Sequence, residues 1–210
     1  RFPWSRPFPG LWTFPETMHV VVFGGSFDPV HLGHIAMADR AMERLRPDRF
    51  LWVPAFLSPG KKEDPLAPAD ARVEILEKVV RTRKGEKVHL GEIARGGLSW
   101  TVDTLRELAA SLPGADFTLL VGADCLDALE DWKEAEEVFS RARFVICPRA
   151  GRGEEALEAL KVRLSESMRA ALRADFLAME EIPVSSTGVR RKIRKGESLA
   201  DQVPGNVEDE

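Results

Sequence analysis

Apolar residues fall along the chain in two rhythms that alternate: short runs, and longer stretches with three-to-four-residue spacing. Val20–Phe23 is an unbroken β-branched and aromatic run, and it predicts a strand buried on both faces. Further strands are predicted over Arg49–Ala55, Lys87–Ile93, Phe117–Val121, Arg143–Cys147 and Phe176–Ile182. Helical spacing covers His34–Leu45 and about Ala69–Arg83, where Val73, Leu76, Val79 and Val80 share a face. A third helix starts near Thr101, is anchored by Leu105 and Leu108, and stops at Pro113-Gly114. A charged helical stretch over about Glu154–Arg173 and a last helix from Ser186 complete the pattern. Strand–helix alternation of this kind predicts an α/β fold: a single-domain, Rossmann-like, doubly wound parallel sheet with helices on both faces. Such sheets bind ligands beyond the C-terminal ends of their strands.

Residues 1–17, RFPWSRPFPGLWTFPET, break the rhythm with four prolines and unperiodic aromatics. They read as a Pro-rich leader, an extension or an artefact, with a short docking segment as the alternative. The folded domain is expected over residues 18–210, from Met18.

Composition narrows the class. A chain of 210 residues with 44% hydrophobic content can build one full core. A net charge of −4 gives no general pull toward nucleic acid or membrane. Cys125 and Cys147 sit apart in apolar segments, with no disulfide framework or CxxC pair, which fits a reducing cytoplasm. The apolar runs are strand-length and too short to span a bilayer. Gln202 and Asn206 are the sole side-chain amides, a bias that suits a thermophile or a GC-rich genome.

The candidate chemistry starts where the first strand ends. Gly24-Gly25 lets the backbone turn, Asp28-Pro29 favours a turn, and a helix follows Gly33. Strand, glycine turn and helix N-terminus together make an anion site of unpaired N–H groups and positive helix dipole. His31 and His34 add two donors suited to phosphate oxygen. Later loops carry further candidates, each with a plainer alternative. Lys61 and Lys62 could be a solvated pair. In Ser99–Leu105, Ser99 or Thr101 could be an N-cap with Asp103 in the first turn. Asp124 follows a strand, and Trp132 beyond it could be core. In VSSTGVR, Ser185, Ser186 and Arg190 form either a capped helix start or a second phosphate-binding turn.

The segment GSFDPVHLGH resembles the HxGH signature of the superfamily that transfers nucleotidyl groups from nucleoside triphosphates. It is neither a Walker A loop nor a GxGxxG loop. From Met18 onward the chain resembles the bacterial nicotinate-nucleotide adenylyltransferases, whose pattern runs GGxFDPxHxGH, a basic residue, SxTxDTL, GxDxxxxLxxW and [IV]SSTxxR. The chain supplies GGSFDPVHLGH, Lys61/Lys62, SWTVDTL, GADCLDALEDW and VSSTGVR. It departs at Gly60, where the family often has histidine, and at Trp100, where tyrosine is common. Pantetheine-phosphate adenylyltransferases share the first and last motifs but are usually shorter and lack SxTxDTL. A nucleotide-binding regulator without turnover would not need His31, His34 and Arg190 intact.

The resemblance implies transfer of AMP from ATP to nicotinate mononucleotide, giving deamido-NAD and pyrophosphate in NAD biosynthesis. It implies ATP contacts from Gly24, Gly25, Ser26, Phe27, His31, His34, Ser185, Ser186 and Arg190, with His31, His34 and Arg190 catalytic. The mononucleotide would meet Lys61, Lys62, Thr101, Asp124 and Trp132. Mg²⁺ would ride mainly on the ATP phosphates, without a protein metal site.

Overall fold

Along the first strand, successive side chains enter opposite cores. Val20 and Val22 pack with Val102, Leu105 and Leu108 on one side; Val21 and Phe23 pack with Met37, Ala38 and Ala41 on the other. The computed structural model of the chain describes residues 17–59 and 65–205. Among the described residues six strands form one sheet: β1 His19–Gly25, β2 Arg49–Pro54, β3 Glu86–Val88, β4 Asp116–Gly122, β5 Ala142–Cys147 and β6 Ala174–Phe176. All pair in parallel, in the order β3-β2-β1-β4-β5-β6. The order reverses between β1 and β4, which opens a crevice at their C-terminal ends.

Among the described residues eight α-helices connect and cover the strands: α1 Leu32–Leu45, α2 Ala69–Val80, α3 Gly91–Arg95, α4 Thr101–Ser111, α5 Ala135–Arg141, α6 Glu154–Arg163, α7 Glu166–Ala171 and α8 Ser186–Lys195. Apolar residues of α1, α2 and α8 fill one core, and those of α4, α5 and α6 fill the other. Among the described residues no helix is long and apolar enough to cross a membrane.

Several elements differ from the sequence expectation. The third strand ends at Val88, and Ile93 lies in α3. Ile93 is half-buried on a one-turn helix, so its apolar character reflects burial and not extension. The long charged helix is two, broken at Leu164 and restarted by Ser165, whose hydroxyl accepts from Met168 N–H at 3.2 Å. The sixth strand occupies Ala174–Phe176, ahead of the expected span. A 3-10 stretch over Ala123–Asp131 and helix α5 stood outside the expected elements. On α2, Arg72 is buried while Val73 is half-exposed, the reverse of what apolar spacing suggests. Most of the leader, together with Lys61 and Lys62, lies outside the described residues.

Candidate active site

The chain leaves β1 through Gly24 and Gly25 and turns through Ser26–Pro29 toward α1. Phe27 has φ 45°, a left-handed conformation that costs a non-glycine residue about 1–2 kcal/mol. Burial of the ring, worth about 1.5–3 kcal/mol for Phe, offsets this. It stands edge-on to Phe23, His34 and Trp52, with centroids 5.5, 5.1 and 5.4 Å away. Gly25 permits this packing, because a Cβ there would lie 3.1 Å from the Phe27 ring.

His31 is the N-cap of α1, so the helix opens at Leu32, two residues earlier than His34. The His31 backbone N–H donates to His34 Nδ1 at 3.2 Å, the role a Glu or Gln side chain fills in a capping box. With Nδ1 accepting, the neutral His34 ring carries its proton on Nε2. The two rings stack with centroids 3.7 Å apart and planes 29° apart. Gly33 makes room, since a Cβ there would lie 3.1 Å from the His31 ring. His31 is 1% exposed, and neither ring nitrogen has a partner among the described residues. Burial, helped by the Arg149 charge, pushes its pKa down to about 3. A neutral buried imidazole with both nitrogens unmatched is the kind of group a ligand completes.

The last motif is latched onto this loop. Ser185 caps α8 by accepting from Gly188 N–H at 3.1 Å. Ser186 donates its hydroxyl to the Pro29 carbonyl at 3.1 Å. Arg190 Nη1 donates to the Asp28 carbonyl at 2.8 Å, and Nη2 donates to Thr187 Oγ1 at 3.2 Å. Ser186 reaches the cleft wall, whereas Ser185 spends its hydroxyl on the cap and Arg190 is held against the Asp28 loop.

The far end of the cleft is built by α4 and the 3-10 stretch. Trp100 is the N-cap of α4 and no side chain caps the helix, contrary to the role expected of Ser99 or Thr101. Ser99 instead accepts from Phe56 N–H at 2.9 Å. The helix start at Thr101 therefore brings uncapped N–H groups to the cleft. Beneath it Glu92 is buried, takes the Thr104 hydroxyl proton in a hydrogen bond, and has its carboxyl pKa raised by burial. Asp124 faces Arg149, with Oδ2 to Nε at 3.6 Å. Trp132 is half-buried and tilts over Phe144 at 6.4 Å. Lys133 Nζ lies 3.1 Å from Asp103 Oδ2 and 5.8 Å over the Trp100 ring.

One cleft of about 590 Å³ joins these parts, with Gly24, Ser26 and His34 at one end and Thr101, Asp124 and Trp132 at the other. Sequence reasoning missed Arg72, Lys133 and Arg149. The signal for Arg72 was present, as an arginine four residues before Leu76 on the buried face of α2. Arg149 acquires meaning only once β4 and β5 are paired and bring it beside Asp124, and Lys133 only once the segment after the 3-10 stretch meets the start of α4.

A doubly wound sheet with a glycine loop, a histidine-opened helix and a cleft at its switch point defines a nucleotide-binding α/β protein. Residues 22–192 match the cytidylyltransferase-like family. A Rhodopirellula baltica protein described as a "probable nicotinate-nucleotide adenylyltransferase" is 31% identical over 196 residues, 93% of this chain and 92% of its own length. A Gloeobacter violaceus protein of the same description is 37% identical, over 83% of this chain and 84% of its own. The fold matches that of Plasmodium falciparum nicotinic acid mononucleotide adenylyltransferase complexed with NaAD. The TM-score is 0.69 at 17% identity, covering 91% of this chain and 93% of that one. The chain belongs to the cytidylyltransferase-like family, in its nicotinate-nucleotide adenylyltransferase branch.

Proposed function

We propose that the protein transfers the AMP group of ATP to nicotinate mononucleotide, giving deamido-NAD and pyrophosphate in NAD biosynthesis. The observation that carries this reading is a continuous cleft with a phosphate-type loop at one end and an aromatic, helix-start subsite at the other. The activity named for the relatives and the NaAD bound to the Plasmodium protein support the same pair of substrates.

In the transfer, an oxygen of the mononucleotide phosphate attacks the α-phosphorus of ATP. The bond from that phosphorus to the α,β-bridging oxygen breaks, and the oxygen departs with pyrophosphate. The attacking phosphate is ionised at neutral pH, so catalysis falls to positioning and charge stabilisation. The His34 Nε2–H, the His31 ring and the N–H groups around Ser26 and Phe27 donate to the ATP phosphates beside Gly24 and Gly25. Ser185, Ser186 and Arg190 close on the β- and γ-phosphates from α8; Ser186 exchanges its Pro29 carbonyl bond for phosphate oxygen, while Arg190 has N–H donors beyond those given to the Asp28 carbonyl and Thr187 Oγ1. Trp132 offers a face to the pyridine ring, the α4 start at Thr101 receives the nicotinate carboxylate, and Asp124 accepts hydrogen bonds from the acceptor. Lys61 or Lys62 would meet its phosphate.

Among the described residues no group of three or more His, Cys, Asp or Glu side chains is placed to hold a metal ion. Mg²⁺ would be carried on ATP oxygens and water, where it would neutralise charge on the leaving pyrophosphate. The reaction belongs in the cytoplasm with its substrates.

A pyrophosphate-release assay with ATP and a panel of acceptors tests this reading. Nicotinate mononucleotide should be used best, ahead of nicotinamide mononucleotide, with no turnover of phosphopantetheine. Preference for phosphopantetheine, or no release with any acceptor, would overturn it.

A further inference from the structure

We propose that Arg72 is a positioning residue for the transfer: it fixes the Ser26–Phe27 peptide so that the Phe27 N–H faces the ATP phosphates. The proposal rests on the reading that the glycine loop holds those phosphates.

Arg72 lies in the first turn of α2, on the face that also carries Leu76, Val79 and Val80, and is 1% exposed. Desolvating a guanidinium is costly unless its donors are matched, and burial pulls its pKa down against the opposing charge of Asp28. Packing alone would be served better by Leu or Met. The donors instead go to four main-chain carbonyls. Nη1 donates to Ser26 O at 2.6 Å and Ala55 O at 2.7 Å, Nη2 to Phe56 O at 3.1 Å, and Nε to Ala67 O at 3.2 Å. These acceptors belong to three segments: the glycine loop, the exit of β2, and the turn before α2. Asp28, itself buried, ties two of the same segments together by accepting from Leu66 N–H at 2.8 Å and Ala67 N–H at 3.1 Å.

A trans peptide points its carbonyl and its N–H in opposite directions. The Gly25 carbonyl is already held on the β2 side by Ala55 N–H at 2.8 Å. Arg72 holds the next carbonyl, that of Ser26, on its own side. The Phe27 N–H is thereby turned away from Arg72, toward the cleft that Ser26 and Phe27 line. An N–H fixed before substrate arrives needs no reorganisation as charge develops, so its benefit appears in turnover. Lysine keeps the charge but lacks the planar fork that spans these carbonyls.

The test uses ¹⁵N-labelled full-length protein, following the Phe27 amide resonance during titration with α,β-methylene-ATP, together with kcat, both KM values and Tm. In the wild type the resonance should move on titration. Arg72→Lys should lower kcat tenfold or more, leave KM for nicotinate mononucleotide within twofold, and weaken the Phe27 response. Adding guanidinium ion to Arg72→Ala should restore part of the lost kcat. Should Arg72→Ala fail to fold, Arg72→Lys and Arg72→Gln carry the test. A folded Arg72→Lys with wild-type kcat and a full Phe27 response overturns the proposal. So does a lower Tm with kcat unchanged in the folded fraction. If the wild type makes no deamido-NAD, the functional reading fails separately, and the Phe27 response alone decides the role of Arg72.

Discussion

His31 and His34 hold one another: the His31 N–H donates to His34 Nδ1 at 3.2 Å while the two rings stack at 3.7 Å. The bond assigns the His34 proton to Nε2, which makes that nitrogen a donor at neutral pH. The HxGH spacing has a physical basis here. Three residues bring the N-cap and the third helical position together, and glycine between them clears space for the first ring.

His34→Ala should therefore act on turnover. Loss of one preorganised donor to a developing oxyanion costs about 2.7–4 kcal/mol, or about 10²–10³ in kcat. Steady-state kinetics with varied ATP checks this. A normal kcat with a raised KM alone would make His34 a binding contact and nothing more.

His31 should make the fold acid-sensitive. Its pKa is about 3 in the fold against 6.5 for an unperturbed ring, so below about pH 6.5 the unfolded chain takes up a proton that the folded chain refuses. This contribution to stability is complete above pH 6.5 and is lost as pH falls toward 3, by up to about 1.4 kcal/mol per pH unit. Urea midpoints of wild type and His31→Phe at pH 7.5, 6 and 5 should diverge, with the variant losing less at low pH. Parallel losses would contradict a buried neutral ring.

Arg190→Lys removes the fork that joins the Asp28 carbonyl to Thr187 Oγ1. ATP affinity should fall about tenfold in calorimetric titration, with little change for the mononucleotide. Equal loss for both substrates would mean that the α8 latch, and not phosphate contact, is what Arg190 supplies.

Trp132 both packs on Phe144 and faces the cleft, so Trp132→Ala should lower Tm and raise KM for nicotinate mononucleotide while sparing KM for ATP. Aromatic stacking contributes about 0.5–1.5 kcal/mol beyond buried area, and Trp132→Phe should recover part of the loss. A destabilised enzyme with normal acceptor KM would leave Trp132 as core alone.

Much of this was legible in the chain. Val20–Phe23, Phe117–Val121 and Arg143–Cys147 read as strands because burial on both faces leaves a continuous apolar run. The glycine loop and the VSSTGVR helix start were legible because turn and cap chemistry is local. Ile93 misled because a half-buried position on one turn of helix looks the same as the end of a strand. Ser99 was misplaced because its hydroxyl serves Phe56, 43 residues away in sequence, instead of its own helix. Arg190 was legible as a cation at a helix start, but its bond to the Asp28 carbonyl depends on the packing of α8 against the first loop. Arg72 needed three loops to converge before its burial had a reason.

Single-turnover label transfer tests the central claim most directly. With [α-³²P]ATP and nicotinate mononucleotide, the label should pass quantitatively into deamido-NAD, identified by mass, and the released pyrophosphate should carry none. With [γ-³²P]ATP the label should appear in pyrophosphate alone. Label in inorganic phosphate, or α-label remaining in ATP or free AMP with the mononucleotide unchanged, would contradict adenylyl transfer within the cleft.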